Sequence, residues 1–334
     1  MKKSQHLIVF DMDGVLVDVS ASYRDVVRQT ARIFFQAARS FEKLPDPMFS
    51  LTDIANIKQG GGLNNDWDLT AVLIDLLFSR IEKPELEKTA DHWKWHHDVM
   101  RRCDAGKLAQ FLKTEDQPLT TIQQGDRRPN HEFITGLYTG DVGSGNIIKQ
   151  IFQEIYLGKD LFSSTYGMPP RVYDGEGYIH RETLMVAESS LAKLSENNIL
   201  AIATGRPKKE ADFPLNYHGI RKYFDAVYTL DDCTREEKRI LKQSGRRVSL
   251  SKPNPYMLDA ITATVKKPTG GYYYIGDMPD DVVAAKKARA GFVGVGFLLS
   301  APDKAILKKE LQRAGAGYII EDLKQLEEII SKLS

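Results

Sequence analysis

The stretch HLIVFDMDGVLVD, residues 6–18, constrains this chain more than any other. A short apolar run from Leu7 to Phe10 reads as a buried strand, and it stops abruptly at Asp11-Met12-Asp13-Gly14. In an open α/β sheet the carboxyl ends of the strands face the binding crevice, so both acids belong at the mouth of a site. Gly14 predicts an immediate turn, which lets the two carboxylates aim at one small volume. Such crowding calls for a divalent cation or a proton. Taken alone, the four residues also read as an acidic turn that closes a core strand. The rest of the chain decides between the two.

From about Glu182 onward the texture is strict alternation. The helical stretch TLMVAESSLAKLSENN leads to an apolar strand, ILAIA, that ends at Thr204-Gly205-Arg206-Pro207. Then come a helical or irregular segment, strand DAVYTL, a charged insert at 231–249, and SKPNPYML opening a helix. Strand YYYIG ends at Asp277 and is followed by helix DDVVAAKKARA, strand FVGVGF, helix DKAILKKELQRAG, strand YII and helix LKQLEEIISKL. Short apolar strands separated by helices predict an α/β fold with a doubly wound parallel sheet. The first strand joins that sheet across a long, mainly helical insertion. The boundaries read from the sequence are 1–18 and 182–334 for the core, and 19–181 for the inserted domain.

Within the insertion, SASYRDVVRQTARIFFQAAR places Tyr23, Val26, Val27, Thr30, Ile33 and Phe34 on one helical face. A short helix, a glycine-rich loop at Gly60-Gly61-Gly62 and a longer helix from about Asp66 come next, and 84–102 is helical in composition. Residues 113–145 read as loop-rich, IIKQIFQEIYLG as an amphipathic helix, and FSSTYGMPPRVYDGEGYIHRE as turns with a short extended piece. His92 and His96 stand at i, i+4, with His97 beside them, but no third ligand accompanies them, so an aromatic-rich helix face is expected rather than a metal site. TGDVGSGN lacks the Lys-Ser/Thr ending of a phosphate-cradling loop and reads as a plain loop.

Length and composition remove several function classes. A chain of 334 residues, 42% hydrophobic and 27% charged, has room for two domains and a buried core. A net charge of +1 is no basis for binding nucleic acid or an anionic membrane. Cys103 and Cys233 stand far apart without metal spacing, which argues against a disulfide framework. The apolar run after the basic start ends at Asp11, too short for a signal peptide, and no stretch reaches the ~18 apolar residues of a membrane span. The expectation is a soluble, cytoplasmic protein that binds neither nucleic acid nor membrane.

Four features share the carboxyl edge of the sheet: Asp11 with Asp13, Thr204, Lys252 ahead of a helix, and Asp277 with Asp280 and Asp281. In this order the pieces DMDGVLVD, ATG, SKPNP and IGDMPDD resemble the motifs of the haloacid dehalogenase (HAD) superfamily of phosphotransferases. The resemblance covers residues 1 to about 18 and about 182 to 300, and is similar to the branch with a helical cap directly after the first motif. It implies a Rossmann-like core and a Mg2+-dependent phosphatase that acts on a small phosphorylated metabolite. In that scheme Asp11 is the nucleophile, forming an aspartyl-phosphate, and Asp13 is the general acid and base. Mg2+ is held by Asp11, the carbonyl of Asp13, Asp277 and Asp281, with Asp280 the substitute if the loop is shifted by one. Thr204 and the backbone around Gly205 bind phosphate oxygens, and Lys252 neutralises them. An acid at position 13 favours phosphate monoesters over carbon–halogen or carbon–phosphorus bonds. The same residues serve a phosphomutase, and a non-catalytic, receiver-like phosphate-binding module is the rival outside enzymes. Superfamily membership identifies the reaction better than the substrate.

Substrate-contacting candidates in the insertion are Lys58 and the loop GGGLNNDW with Asn64 and Asn65, whose amides suit sugar or polyol hydroxyls. Asn65 or Asp66 alternatively caps the next helix. Arg206 either reaches a second anionic group of the substrate or is a surface arginine.

Overall fold

The computed structural model describes residues 5–61, 65–83, 88–125, 131–301 and 303–333, apart from the side chains of 58–61 and 331–333. The chain divides into two compact units, one running up to Val19 and resuming at Glu182, the other comprising Ser20–Arg181.

Among the described residues the first unit has eight strands: β1 Leu7–Phe10, β2 Val17–Asp18, β3 Thr183–Leu184, β4 Ile199–Ala203, β5 Ala226–Tyr228, β6 Tyr272–Gly276, β7 Val293–Phe297 and β8 Tyr318–Ile320. Six of them form one sheet in the order β5-β4-β1-β6-β7-β8. Every neighbouring pair is parallel, with Leu7 opposite Ile199 on one side of β1 and opposite Tyr272 on the other. The chain winds outward through β4 and β5, returns to the far side of β1 with β6, and winds outward again through β7 and β8. The topological switch point therefore lies at β1, where such sheets open their binding crevice.

Side-chain alternation explains why these strands read as unbroken apolar runs. Ile8, Phe10, Leu200, Ile202, Tyr273 and Ile275 pack on one face. Leu7, Val9, Ile199, Ala201, Ala203 and Tyr274 pack on the other. Helices cover both faces. Leu191, Leu194, Ala211, Leu215, Leu323 and Leu326 close the first, and Met257, Leu258, Ile261, Ala284 and Ala285 the second. A sheet buried on both sides needs apolar residues at every strand position.

Two elements of this unit differ from their sequence reading, and a third takes the helical one of its two readings. The stretch TLMVA opens as β3, antiparallel to β2, with Val17 opposite Leu184, and its helix starts only at Glu188. Its pairing partner lies across the whole insertion, beyond any local pattern. The charged stretch 231–249 is largely the helix Leu230–Ser244, started by a capping box of Thr229 and Asp232 and ended by left-handed Gly245. The segment left as helical or irregular after Pro207 is the helix Lys208–Tyr217.

The second unit is helical: Tyr23–Phe34, Leu51–Gly61, Asp66–Phe78, His92–Arg102, Gly106–Thr114, Pro118–Gly125, Glu132–Leu137 and Ile147–Tyr166. The segment 113–145, expected to be loop-rich, carries two short helices and the end of a third. Their N-termini are held from far away in sequence. Asp53, fully buried, accepts from Leu119 N at 2.7 Å, Thr120 N at 3.0 Å and Thr120 Oγ1 at 2.6 Å. Asp75 accepts from His131 N at 3.1 Å. Helices this short are marginal alone, and these two begin where earlier helices place a carboxylate. The helix 147–166 runs past its expected end but bends at Gly158, where φ is 71°. A Cβ at Gly158 would lie 2.1 Å from Gly177 N, so only glycine allows the two backbones to meet there. His92 Nδ1–H donates to the Gly145 carbonyl at 2.6 Å and His96 Nε2–H to the Phe34 carbonyl at 2.9 Å. Burial holds His96 neutral, its pKa lowered to about 4. These two histidines belong to an aromatic helix face.

Candidate active site

The acidic cluster is assembled by strand ends. Asp11 N donates to Ile275 O at 2.8 Å, so the backbone of Asp11 still belongs to the sheet while its side chain leaves the end of β1. The chain then turns at once: Leu16 N and Val17 N both donate to Met12 O at 2.9 Å. Gly14 makes that turn with φ 71°, and a Cβ there would lie 2.1 Å from Asp277 Oδ2. The glycine of DMDG thus lets the β1 turn press against the acid that ends β6.

Asp11, Asp277 and Asp281 each present a carboxylate oxygen, all within 4.8 Å of one another. Asp281, on the first turn of the helix Pro279–Lys287, is 1% exposed, whereas Asp280 is only half-buried and outside this trio. Lys252 Nζ bridges Asp11 Oδ1 at 2.8 Å and Asp281 Oδ1 at 2.7 Å. Met278 N donates to Asp281 Oδ2 at 3.1 Å, and the Tyr274 hydroxyl lies 2.9 Å from Asp281 Oδ1 and 3.0 Å from Ala203 O. Ser300 Oγ donates to Asp277 Oδ2 at 3.2 Å.

The electrostatics leave room for a cation. Three carboxylates face one ammonium, so two negative charges stay uncompensated when all are ionised. At 4.8 Å, two like charges repel by about 3–4 kcal/mol at an effective dielectric constant of ~20. Burial pushes the Asp11 carboxyl up to about 7; Lys252 opposes the rise, and Asp281 and Asp13 add to it. Asp277 is held well above the ordinary carboxylate range by burial first, then by Asp11 and Asp281. Burial disfavours the Lys252 ammonium, but Asp11 and Asp281 outweigh it and hold it well above the ordinary lysine value. A buried all-oxygen donor set with raised carboxyl groups suits a hard divalent ion.

Asp13 lies apart from the trio. Its side chain is 37% exposed, and Oδ1 accepts from Arg206 Nε at 2.6 Å. Thr204, at the end of β4, is 1% exposed; its N–H donates to Tyr228 O at 3.0 Å and its Oγ1 accepts from Arg206 N at 3.2 Å. Gly205 beside it is exposed.

A sequence profile described as haloacid dehalogenase-like hydrolase matches residues 179–295, which contain Thr204, Lys252, Asp277 and Asp281. The matched stretch, about a third of the chain, is thus similar to that hydrolase family. It is also 24% identical over 324 residues to an imidazoleglycerol-phosphate dehydratase of Phytophthora nicotianae, covering 94% of this chain and 49% of that protein. The chain thus spans about half the length of that curated relative. Two solved structures share the fold. One is a structural-genomics target, ZR25, at 20% identity and TM-score 0.67, covering 100% of this chain and 99% of the other. The other is phosphatase Tt82 from Thermococcus thioreducens, at 19% identity and TM-score 0.52, covering 92% and 99%.

Against the HAD motifs, the structure gathers Asp11, Lys252, Asp277 and Asp281 into one cluster, with Asp13 and Thr204 linked to each other through Arg206. The Arg206 side chain is 1% exposed, so it is not a surface arginine. Asn65 serves as the N-cap of the helix Asp66–Phe78, accepting from Trp67 N at 2.9 Å. The Lys58 side chain and Asn64 lie outside the described residues. Sequence reasoning passed over Tyr274, Ser300 and Glu182. Only Tyr274 left a signal, a polar-tipped residue inside the strand YYYIG, where a fully buried phenol must find a partner.

Proposed function

We propose that this protein is a Mg2+-dependent phosphatase that hydrolyses a small phosphate monoester through an aspartyl-phosphate. The observation that carries the reading is the buried Asp11, bridged by Lys252 to Asp281 beside Asp277, at the switch point of a parallel sheet. An Asp11 oxygen attacks phosphorus, forming the P–O bond of the phosphoenzyme as the bond to the leaving group breaks. Asp13 gives its proton to the leaving oxygen, then takes one from the water that cleaves the phosphoenzyme to inorganic phosphate and free Asp11. Lys252 balances the equatorial phosphoryl oxygens, and the Thr204 hydroxyl with the Gly205 backbone orients them. Asp11, Asp277, Asp281 and the carbonyl of Asp13 are the residues that hold Mg2+. The ion supplies charge neutralisation and an oriented phosphoryl group. In this reading the core is residues 1–18 and 182–334, 19–181 is the inserted cap domain, and Lys58, Asn64 and Asn65 are the candidate substrate contacts. Among the described residues no helix is long and apolar enough to cross a membrane, and the reading places the enzyme in the cytoplasm.

The test is phosphate release from a panel of sugar, polyol, nucleoside and amino-acid phosphates with Mg2+, alongside Asp11→Asn and EDTA. Release from one or two compounds, lost in both controls, supports the reading and names the substrate class. Interconversion of sugar phosphates without phosphate release would replace it with a phosphomutase. Neither reaction from folded protein would favour a phosphate-binding module.

A further inference from the structure

Arg206 is among the largest fully buried side chains of the described protein, and its surroundings are specific. Nη1 donates to Glu182 Oε2 at 2.9 Å and to the Glu210 carbonyl at 3.1 Å, while Nε donates to Asp13 Oδ1 at 2.6 Å. The side chain of Glu182 is itself 0% exposed. Its carbonyl accepts from His218 Nε2 at 3.2 Å, and it is the residue at which the chain re-enters the core after the insertion. The backbone of Arg206 is held at both ends, its N–H on Thr204 Oγ1 and its carbonyl on Leu230 N at 2.9 Å. The guanidinium is therefore a fixed strut anchored behind the sheet edge.

A buried ion pair is a poor stabiliser, since desolvation costs several kcal/mol per ion and an apolar pair of similar shape does as well or better. Arg206 and Glu182 already neutralise one another. The additional bond runs to Asp13, whose side chain is 37% exposed on the tight turn after β1 and would otherwise be held by fewer neighbours than a buried side chain would. Misplacing a reacting group by ~1 Å can lower the rate ~100-fold.

We propose that Arg206 is a positioning residue for Asp13, with Glu182 as its buried counter-charge. The proposal rests on the phosphatase reading above. Because Arg206 Nε–H donates to Oδ1, that oxygen is an acceptor throughout, and the proton in transit belongs to Oδ2. In the first half-reaction Oδ2–H protonates the leaving alkoxide as its bond to phosphorus breaks. In the second, Oδ2 takes a proton from water as the water oxygen bonds to phosphorus and Asp11 departs. Arg206 neither gains nor loses a proton in either half.

The experiment compares two substrates that differ in their need for an acid. p-Nitrophenyl phosphate has a leaving group that departs unprotonated, whereas the alkyl phosphate hydrolysed fastest in the panel does not. The proteins are the wild type, Arg206→Lys, and the charge-free pair Arg206→Met with Glu182→Gln, which leaves no lone buried charge to disturb folding. Both variants are expected to lose about 10²-fold in the pre-steady-state rate of leaving-group release from the alkyl phosphate and less than about 5-fold in that of the p-nitrophenol burst, while hydrolysis of the phosphoenzyme, which needs Oδ2 as base for either substrate, slows equally for both. Asp13→Asn shows the same bias, and adding Arg206→Lys to it lowers the alkyl rate no further. Equal losses in the two release rates, a loss confined to KM, or losses that multiply with Asp13→Asn would overturn the proposal and leave the phosphatase reading intact. A wild type that releases phosphate from neither substrate would remove the reading itself, and the proposal with it.

Discussion

Raising the pH of the metal-free protein from 5 to 8 should destabilise it, and Mg2+ should cancel that loss. Asp11 is buried, and its carboxyl is pushed up from the ordinary 3.8 to about 7, chiefly by desolvation. Between those two values the native state holds a proton that the unfolded chain has released. Stability therefore falls as pH rises through this window and levels off above the native value. With 1.36 kcal/mol per pKa unit, the part falling between pH 5 and 8 is about 2–3 kcal/mol. For a unit of this size that lowers the melting temperature by ~5–10 °C. Asp277, raised in the same direction, adds to the slope. A divalent ion bound to the ionised cluster at ~100 times its Kd returns about 2.7 kcal/mol. The assay is a series of thermal melts at pH 5, 6, 7 and 8, in EDTA or in Mg2+, on the wild type and Asp11→Asn. The expected result is a downward slope in EDTA, a flatter one in Mg2+, and a clearly shallower EDTA slope in Asp11→Asn. An identical EDTA slope in wild type and Asp11→Asn would refute the reasoning, because the titrating group would then lie elsewhere.

Further predictions follow from single contacts. Lys252→Met should lower kcat by about 10²–10³-fold, because it removes the only cation bridging Asp11 and Asp281 among the described residues. In steady-state assays the loss should appear in kcat rather than in KM. Gly14→Ala should weaken Mg2+ binding by about 10–100-fold, measured calorimetrically, since its Cβ would stand 2.1 Å from Asp277 Oδ2. Asp53→Ala should destabilise the helical unit by about 2–4 kcal/mol in a urea melt, as it strips two N–H groups and a hydroxyl of their buried acceptor.

The chemistry of the core was unusually legible in the sequence. Each of β1, β4 and β6 is a short apolar run that ends in a motif, so strand boundary and site position are the same signal. The two-sided burial of the sheet removes the polar half of the usual alternation and leaves runs such as LIVF and ILAIA, which few other folds require. The burial of Arg206 is not legible in the sequence, because its neighbours there, Thr-Gly and Pro, say nothing of Glu182 or Asp13. The short helices at 118–125 and 132–137 were missed for the same reason. They are started by Asp53 and Asp75 on earlier helices rather than by caps of their own.

By itself, then, the sequence determined the alternating strands and helices, the long insertion after β1, and the residue types gathered at the strand ends. Local patterning and motif spacing carry that information within a few residues. Only the tertiary structure decided that Asp281 rather than Asp280 joins the cluster, that Gly14 presses on Asp277, and that Arg206 turns inward to hold Asp13. Those outcomes depend on groups brought together from distant parts of the chain, where desolvation and hydrogen-bond geometry choose among side chains that look equivalent in one dimension.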